Sequence, residues 1–327
     1  MPVKQHQKPV VLVTAIGTAT ATTIVKELRE TGDFYIVGTD IFPSMEVATS
    51  IDVDEFYVAP SSVENEEVFL EFVLDLCKRN GVNYYFAVID EEVASLSRNR
   101  EPFELLGVRL CIPNAVAVRL CHDKVLFASW CEEHFADICI NRIRSLEEAR
   151  GSRFPLFLKP TFGRASIGCR VIESYETLLA CVTQADLQKD VVLQEFVSGD
   201  VVTVDVVRSH QTGECKAIPR LELLRNGNGC GIAVELFDDR ELIDLCCEIA
   251  EALEINGVVN MEFFKTPDGY KIIELNPRFS AGAVFSCMAG ADLVLDAVRI
   301  ADERPLGHDE IRFRTHFAKR YEAYELD

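Results

Sequence analysis

No stretch of the 327-residue chain approaches the roughly 18 apolar residues that a membrane-spanning helix needs. A surplus of positive charge is lacking too. With 33 Lys and Arg against 53 Asp and Glu the formal charge is −20, and such a surface repels a nucleic-acid backbone. A nucleotide is not excluded, because one local basic pocket is enough to bind it. Among the 12 cysteines no pair has the spacing of zinc ligands, and most sit inside apolar patterns, as Cys77, Cys111, Cys181, Cys246 and Cys247 do. Buried, reduced thiols in a cytoplasmic protein are therefore expected. There is no internal repeat and no low-complexity linker.

What is present is a hydrophobic fraction of 48% and a charged fraction of 26%, those of an ordinary soluble chain with room for two or three cores. The first residues have the outline of a secretory signal: basic residues, a short apolar run, then small residues. Thr14 and Gly17 interrupt that run early. A first strand over 10–14, a Gly/Thr turn and a helix carrying Ile24, Val25 and Leu28 is the preferred reading. Further strands are expected at 35–39, 84–89 and 108–112, with helices at 20–31 and 66–79. That alternation predicts a parallel sheet covered on both faces. Asp40 and Asp90-Glu91-Glu92 follow strand ends, where open α/β sheets place a ligand crevice; helix capping is the competing use of each acid. From about 115 to 190 a helix near Asp123-Lys124 precedes strands at 156–160 and 168–172. From 191 onward strands dominate (191–197, 201–208, 216–223, 258–264, 270–275), with helices at 239–254 and 290–302.

The chemistry concentrates near the C-terminus, in GVVNMEFFKTPDGYKIIELNPRFSAG. Two strands joined at Pro267-Asp268-Gly269 set Glu274, Asn276 and Arg278 two apart, on one face. Glu262 lies on the facing strand. Two carboxylates and an amide oxygen are hard ligands that suit magnesium beside phosphates, and the arginine suits a phosphate or developing oxyanion. Upstream, Lys159 leads into the small-residue loop 161–168, which is neither a Walker A loop nor a dinucleotide fingerprint. An ordinary hairpin turn explains that loop equally well. The segment Val191–Gly199 suits adenine, or simply a buried strand with a turn. Of Arg220 and Arg225, one is a candidate for a substrate carboxylate or its phosphate and the other for a surface salt bridge.

The succession Lys124, Lys159 with its loop, Gln194–Val197, Glu262 and Glu274/Asn276/Arg278 resembles the ATP-grasp superfamily, and within it the carbamoyl phosphate synthase-like carboxylate–amine ligases. The resemblance covers essentially the whole chain. It implies an α/β fold, α+β in its C-terminal part: a pre-ATP-grasp parallel-sheet domain (1–115), a lid subdomain (116–190) and a core subdomain with the metal site (191–327). It implies ATP with two Mg2+ ions, Mn2+ being an alternative. Lys124 and Lys159 would meet phosphates, and Gly163, Ser166 and Gly168 would belong to the lid. Gln194, Glu195, Phe196 and Val197 would hold adenine. Glu262, Glu274 and Asn276 would be metal ligands, and Arg278, joined by Arg220, catalytic. Two departures stand out. Val201 occupies the place where the family commonly has a ribose-binding acid, which shifts that expectation to Asp200, and the lid has Arg164 and Ser166 between its two glycines.

The implied reaction phosphorylates a carboxylate to an acyl phosphate, which an amine then converts to an amide with release of ADP. No protein nucleophile is needed, so Cys169 and Cys287 are not expected to react. Ser280 and Gly282 are candidates for the acceptor pocket, and acids 90–92 for a substrate ammonium. The partners implied are a small carboxylate and a small amine, without nucleic acid or membrane, in a homodimer built through the N-terminal unit. Activation of bicarbonate or formate, and a non-catalytic nucleotide-binding regulator, are the alternatives.

Overall fold

The computed structural model describes residues 4, 6–162 and 167–326. Gly163 and Ser166 of the expected lid lie outside them. Three sheets organise the chain. The first is parallel, in the order β3-β2-β1-β4-β5, and consists of β1 (Val10–Val13), β2 (Tyr35–Asp40), β3 (Glu55–Val58), β4 (Tyr84–Phe86) and β5 (Arg109–Leu110). Its central strand is apolar throughout because both faces are covered. Helix Ala19–Thr31 starts at a Thr18 cap and helix Glu66–Asn80 at an Asn65 cap; left-handed Gly32 and Gly81 end them. The early alternation of strand and helix is thus present, with β3 added.

The second sheet is antiparallel, in the order β6-β9-β7-β8, from β6 (Arg142–Ile143), β7 (Leu156–Pro160), β8 (Arg170–Ile172) and β9 (Val191–Glu195). β9 pairs here although it follows the expected division at 190. The third sheet holds β10 (Asp200–Arg208), β11 (Cys215–Arg225), β12 (Gly231–Leu236), β13 (Gly257–Thr266), β14 (Gly269–Asn276) and β15 (Thr315–Ala318). Its order is β14-β13-β10-β11-β12-β15, with every pair antiparallel.

Alternation in this third sheet decides where chemistry can sit. Val202, Val204 and Val206 of β10, Val259, Met261 and Phe263 of β13, and Leu275 of β14 point to one face. There they join Leu242, Cys246 and Ile249 of helix Arg240–Ala252 in a core. Strand period two therefore turns Thr203, Asp205, Asn260, Glu262, Glu274 and Asn276 to the opposite face. All described cysteines are free. Cys77, Cys111 and Cys246 are buried as expected, but Cys181 is exposed at the last turn of its helix, where its thiol donates to the Thr177 carbonyl. No helix among the described residues is long and apolar enough to cross a membrane.

Candidate active site

Strand pairing draws the polar face of the third sheet into rows. Glu274 lies opposite Glu262, Glu262 opposite Thr203, and Thr203 opposite Arg220. In the next row Asn276 faces Asn260, which faces Asp205. A β-bulge sits beside the first row: Glu262 pairs with Glu274 while Phe263 pairs with Ile272, so Ile273 is the extra residue. Bulges re-aim local groups; here the Ile273 carbonyl accepts a hydrogen bond from Lys159 Nζ at 3.1 Å. Lys159 comes from β7, so this bond ties the second sheet to the third.

Between those two sheets lies a cavity of about 690 Å³. Lys124, Lys159 and the Gln194–Val197 segment line one side, and Glu262, Glu274, Asn276, Arg220 and Arg278 the other. Ser280 and Gly282 line it as well, together with Thr18 and Asp90 from the first sheet's side. A smaller recess of about 60 Å³ is walled by Phe127, Cys131, Ile140 and Ile272, with Lys124 and Lys159 at its edge. Asp200 is exposed at the start of β10 and is not among the residues lining either space. Gly168, left-handed at φ 80° and packed against Pro160, is flanked by two lining residues, Ile167 and Cys169. Cys287 is buried away from the cavity.

Electrostatics distinguish the acids. Burial, and then the facing Glu274 carboxylate, push the Glu262 carboxyl up to about 7. The cation beside it is Arg225, 3.6 Å away. Asn276 donates through Nδ2 to Glu274 at 3.1 Å and to Asn260 at 3.3 Å, which leaves its oxygen toward Arg278 at 3.5 Å. The facing Glu262 and Glu274 carboxylates, the first under electrostatic stress, fit a divalent cation; the Asn276 oxygen, turned to Arg278 here, would join them after an amide flip. No group of three or more His, Cys, Asp or Glu residues placed to hold a metal ion exists among the described residues. Desolvation pulls the Lys159 ammonium down, with Lys124 adding to the effect and Glu274 opposing it.

The arginines differ from the expectation in instructive ways. β14 ends at Asn276, so Arg278 is not on the strand with Glu274 and Asn276. A turn closed by its own N–H on the Asn276 carbonyl swings the side chain back over the row. Its guanidinium is then taken in bidentate fashion by Asp90, Nε to Oδ1 at 2.8 Å and Nη2 to Oδ2 at 3.1 Å. Asp90 opens helix Asp90–Arg98 of the first sheet's unit, and in the sequence it was read as a site for a substrate ammonium. Arg220 is 1% exposed. It donates to Asp205 at 2.5 Å, Glu222 at 3.2 Å and Ser280 at 3.0 Å. A Cβ at Gly282 would stand 2.6 Å from its Nη2, so glycine is what lets the guanidinium lie there. The alternation in VVTVDVVR could have flagged Thr203 and Asp205 as facing the site; nothing local announces Asp90 or Glu222 as partners.

Comparisons with known proteins identify two domains in the chain. Residues 188–321 match the family model described as "ATP-grasp in the biosynthetic pathway with Ter operon", and residues 11–111 match the "PylC-like, N-terminal domain" model. A 3-methyl-D-ornithine–L-lysine ligase of Methanosarcina acetivorans is 26% identical over 129 residues, 39% of this chain and 33% of that protein. The carbamoyl phosphate synthase large chain of Clostridium perfringens is 25% identical over 169 residues, 47% of this chain and 16% of the relative. The matches thus span a third or less of these curated relatives.

Among solved structures, pyruvate carboxylase of Rhizobium etli superposes with a TM-score of 0.76 at 18% identity, over 94% of this chain and 30% of that one. N5-carboxyaminoimidazole ribonucleotide synthetase of Thermotoga maritima gives 0.66 at 18%, over 93% and 78%. At such identity the likeness speaks for the fold, a parallel N-terminal unit followed by two antiparallel sheets. The chain carries an ATP-grasp family domain over residues 188–321, with a PylC-like N-terminal domain over residues 11–111 ahead of it.

Proposed function

We propose that the chain is an ADP-forming carboxylate–amine ligase, in which ATP phosphorylates a substrate carboxylate and an amine then displaces phosphate. The observation that carries this reading is the facing Glu262–Glu274 pair on the cavity floor, bracketed by Lys159 and Arg278. The relatives named above include a ligase joining two amino acids. Solved neighbours include a biotin carboxylase domain in complex with MgADP and bicarbonate and another bound to β,γ-ATP.

In this reading Lys124 and Lys159 neutralise phosphate oxygens, and main-chain groups of Glu195 and Val197 meet the adenine edge. Gly168, at the described end of the expected lid loop, would approach the phosphates. Asp200 would serve the ribose from the rim. Glu262, Glu274 and Asn276 would hold Mg2+, two ions in the full form or Mn2+ in its place, which supplies charge neutralisation at the phosphates. Arg278 would stabilise the transferring phosphoryl group. Three of the five N–H groups of Arg220 are engaged, leaving one on each Nη for a substrate carboxylate. We place the units at about 1–115, 116–195 and 196–327, with the second division after β9 so that this strand stays with its sheet, in a cytoplasmic homodimer.

The test is ADP release across pairs of small carboxylates and amines. Release that needs both members supports the ligase. Release with bicarbonate or formate alone would replace it with one-carbon activation, and none with any pair would leave a nucleotide-binding regulator.

A second expectation concerns protons. A metal ion takes the deprotonated carboxylate. With Glu262 raised to about 7, the nucleotide-free site still carries its proton at pH 6 and has mostly lost it at pH 8. Mg2+ affinity therefore rises with pH up to about 7 and then levels. Calorimetry of Mg·ADP binding in buffers of different ionisation enthalpy should show close to one extra proton released at pH 6, relative to Glu262→Gln. At pH 8 that excess should nearly vanish.

A further inference from the structure

Asp90 reaches the catalytic row from the N-terminal parallel sheet's side of the cavity, and its partner there is Arg278. We infer that Asp90 is a positioning residue for Arg278, so that the N-terminal unit sets the orientation of the arginine that meets the transferring phosphoryl group. This rests on the ATP-dependent reading above. Both side chains line the cavity and are only partly covered, Asp90 at 16% and Arg278 at 18% exposure.

The geometry of this ion pair fixes direction. Asp90 takes the Nε/Nη2 edge, Asn276 stands 3.5 Å from Nη2, and the Phe279 carbonyl accepts from Nη1 at 3.2 Å. A planar guanidinium held at three places has one orientation. One Nη1 hydrogen is left for a phosphoryl oxygen.

The mount is rigid. Asp90 is the first residue of the helix Asp90–Arg98. Val93 and Leu96 of that helix are fully buried, and Glu92 accepts from the Thr14 hydroxyl at 2.5 Å, just past β1. Asp90 and Glu92 are thereby accounted for without a substrate ammonium: Asp90 faces the arginine, and Glu92 faces the sheet.

The experiment compares binding of Mg·AMPPNP and Mg·ADP to the full chain by calorimetry, in wild type, Asp90→Asn, Asp90→Glu, Arg278→Ala and the double variant Asp90→Asn/Arg278→Ala. Wild type should prefer the triphosphate analogue. Asp90→Asn and Arg278→Ala should each lower that preference roughly tenfold, the size of one charge-assisted contact, while Mg·ADP affinity stays the same. In the Arg278→Ala background Asp90→Asn should add nothing, because the aspartate acts only through the arginine. Asp90→Glu, which keeps the charge, should restore part of the preference.

An unchanged preference in Asp90→Asn overturns the inference, as does an additive loss in the double variant. A stronger preference in Asp90→Asn also overturns it, by showing that Asp90 competes with phosphate for Arg278. Failure of wild type to bind either nucleotide instead removes the functional reading on which it rests.

Discussion

Arg278→Ala is expected to lower ADP release by on the order of a thousandfold, with the Michaelis constant for ATP raised no more than about tenfold. The size follows from what the residue would supply: charge aimed at oxygens that become more negative only as the phosphoryl group transfers. An interaction made mainly in the transition state lowers turnover and leaves substrate binding nearly intact. The fold should survive the change. Asp90, the partner left behind, is 16% exposed to the cavity and sits at a helix start, so its charge remains solvated. Arg278→Lys should recover little, because an ammonium cannot take Asp90 along one edge and present another hydrogen to phosphate. Steady-state rates, with melting temperature as the control, decide it. A loss of binding as large as the loss of turnover would reassign Arg278 to ground-state recognition.

The parts legible in the sequence were those whose signal is local. Glu262 and Glu274 could be placed face to face because a short turn fixes the hairpin register and period two fixes the faces. The apolar strands of the first sheet and the capped helices between them were equally readable. Short edge strands were not. β3 has only four residues, all partly exposed or exposed, and β15 alternates half-buried with exposed positions. β12 follows the Asn226–Cys230 turn, and register shifts interrupt its pairing with β11.

Arg278 fell off the predicted strand row because the strand stops one residue before Pro277, which lacks the N–H to continue the ladder. The pairing of Asp90 with Arg278 joins residues 188 apart, and that of Ser280 with Arg220 joins residues 60 apart. Only tertiary packing creates such contacts, and no local pattern encodes them.

Arg220→Ala is expected to destabilise the chain by about 3–5 kcal/mol, the cost of leaving a buried charge without its partner. The contrast with Arg278 lies in surroundings, not in side-chain chemistry. Burial pulls the Arg220 guanidinium down, yet Asp205 and Glu222 outweigh it and hold the charge. Removing the cation strands both acids, whose side chains are 1% and 3% exposed. Asp205 Oδ1 and Glu222 Oε2 already lack a hydrogen-bond partner among the described residues, so little remains to absorb the loss. Ser286 supports only the other Asp205 oxygen, at 2.7 Å.

Urea denaturation measures the effect, and a triple change Arg220→Met, Asp205→Asn, Glu222→Gln should regain much of it, because no charge is then left buried. If Arg220→Ala keeps its stability and loses turnover, the two free Nη hydrogens act on substrate. If it loses stability and the folded fraction turns over normally, Arg220 is a strut beneath the acceptor end of the pocket. Its 1% exposure and three occupied hydrogen-bond directions favour the strut, which leaves Arg278 as the arginine presented to chemistry.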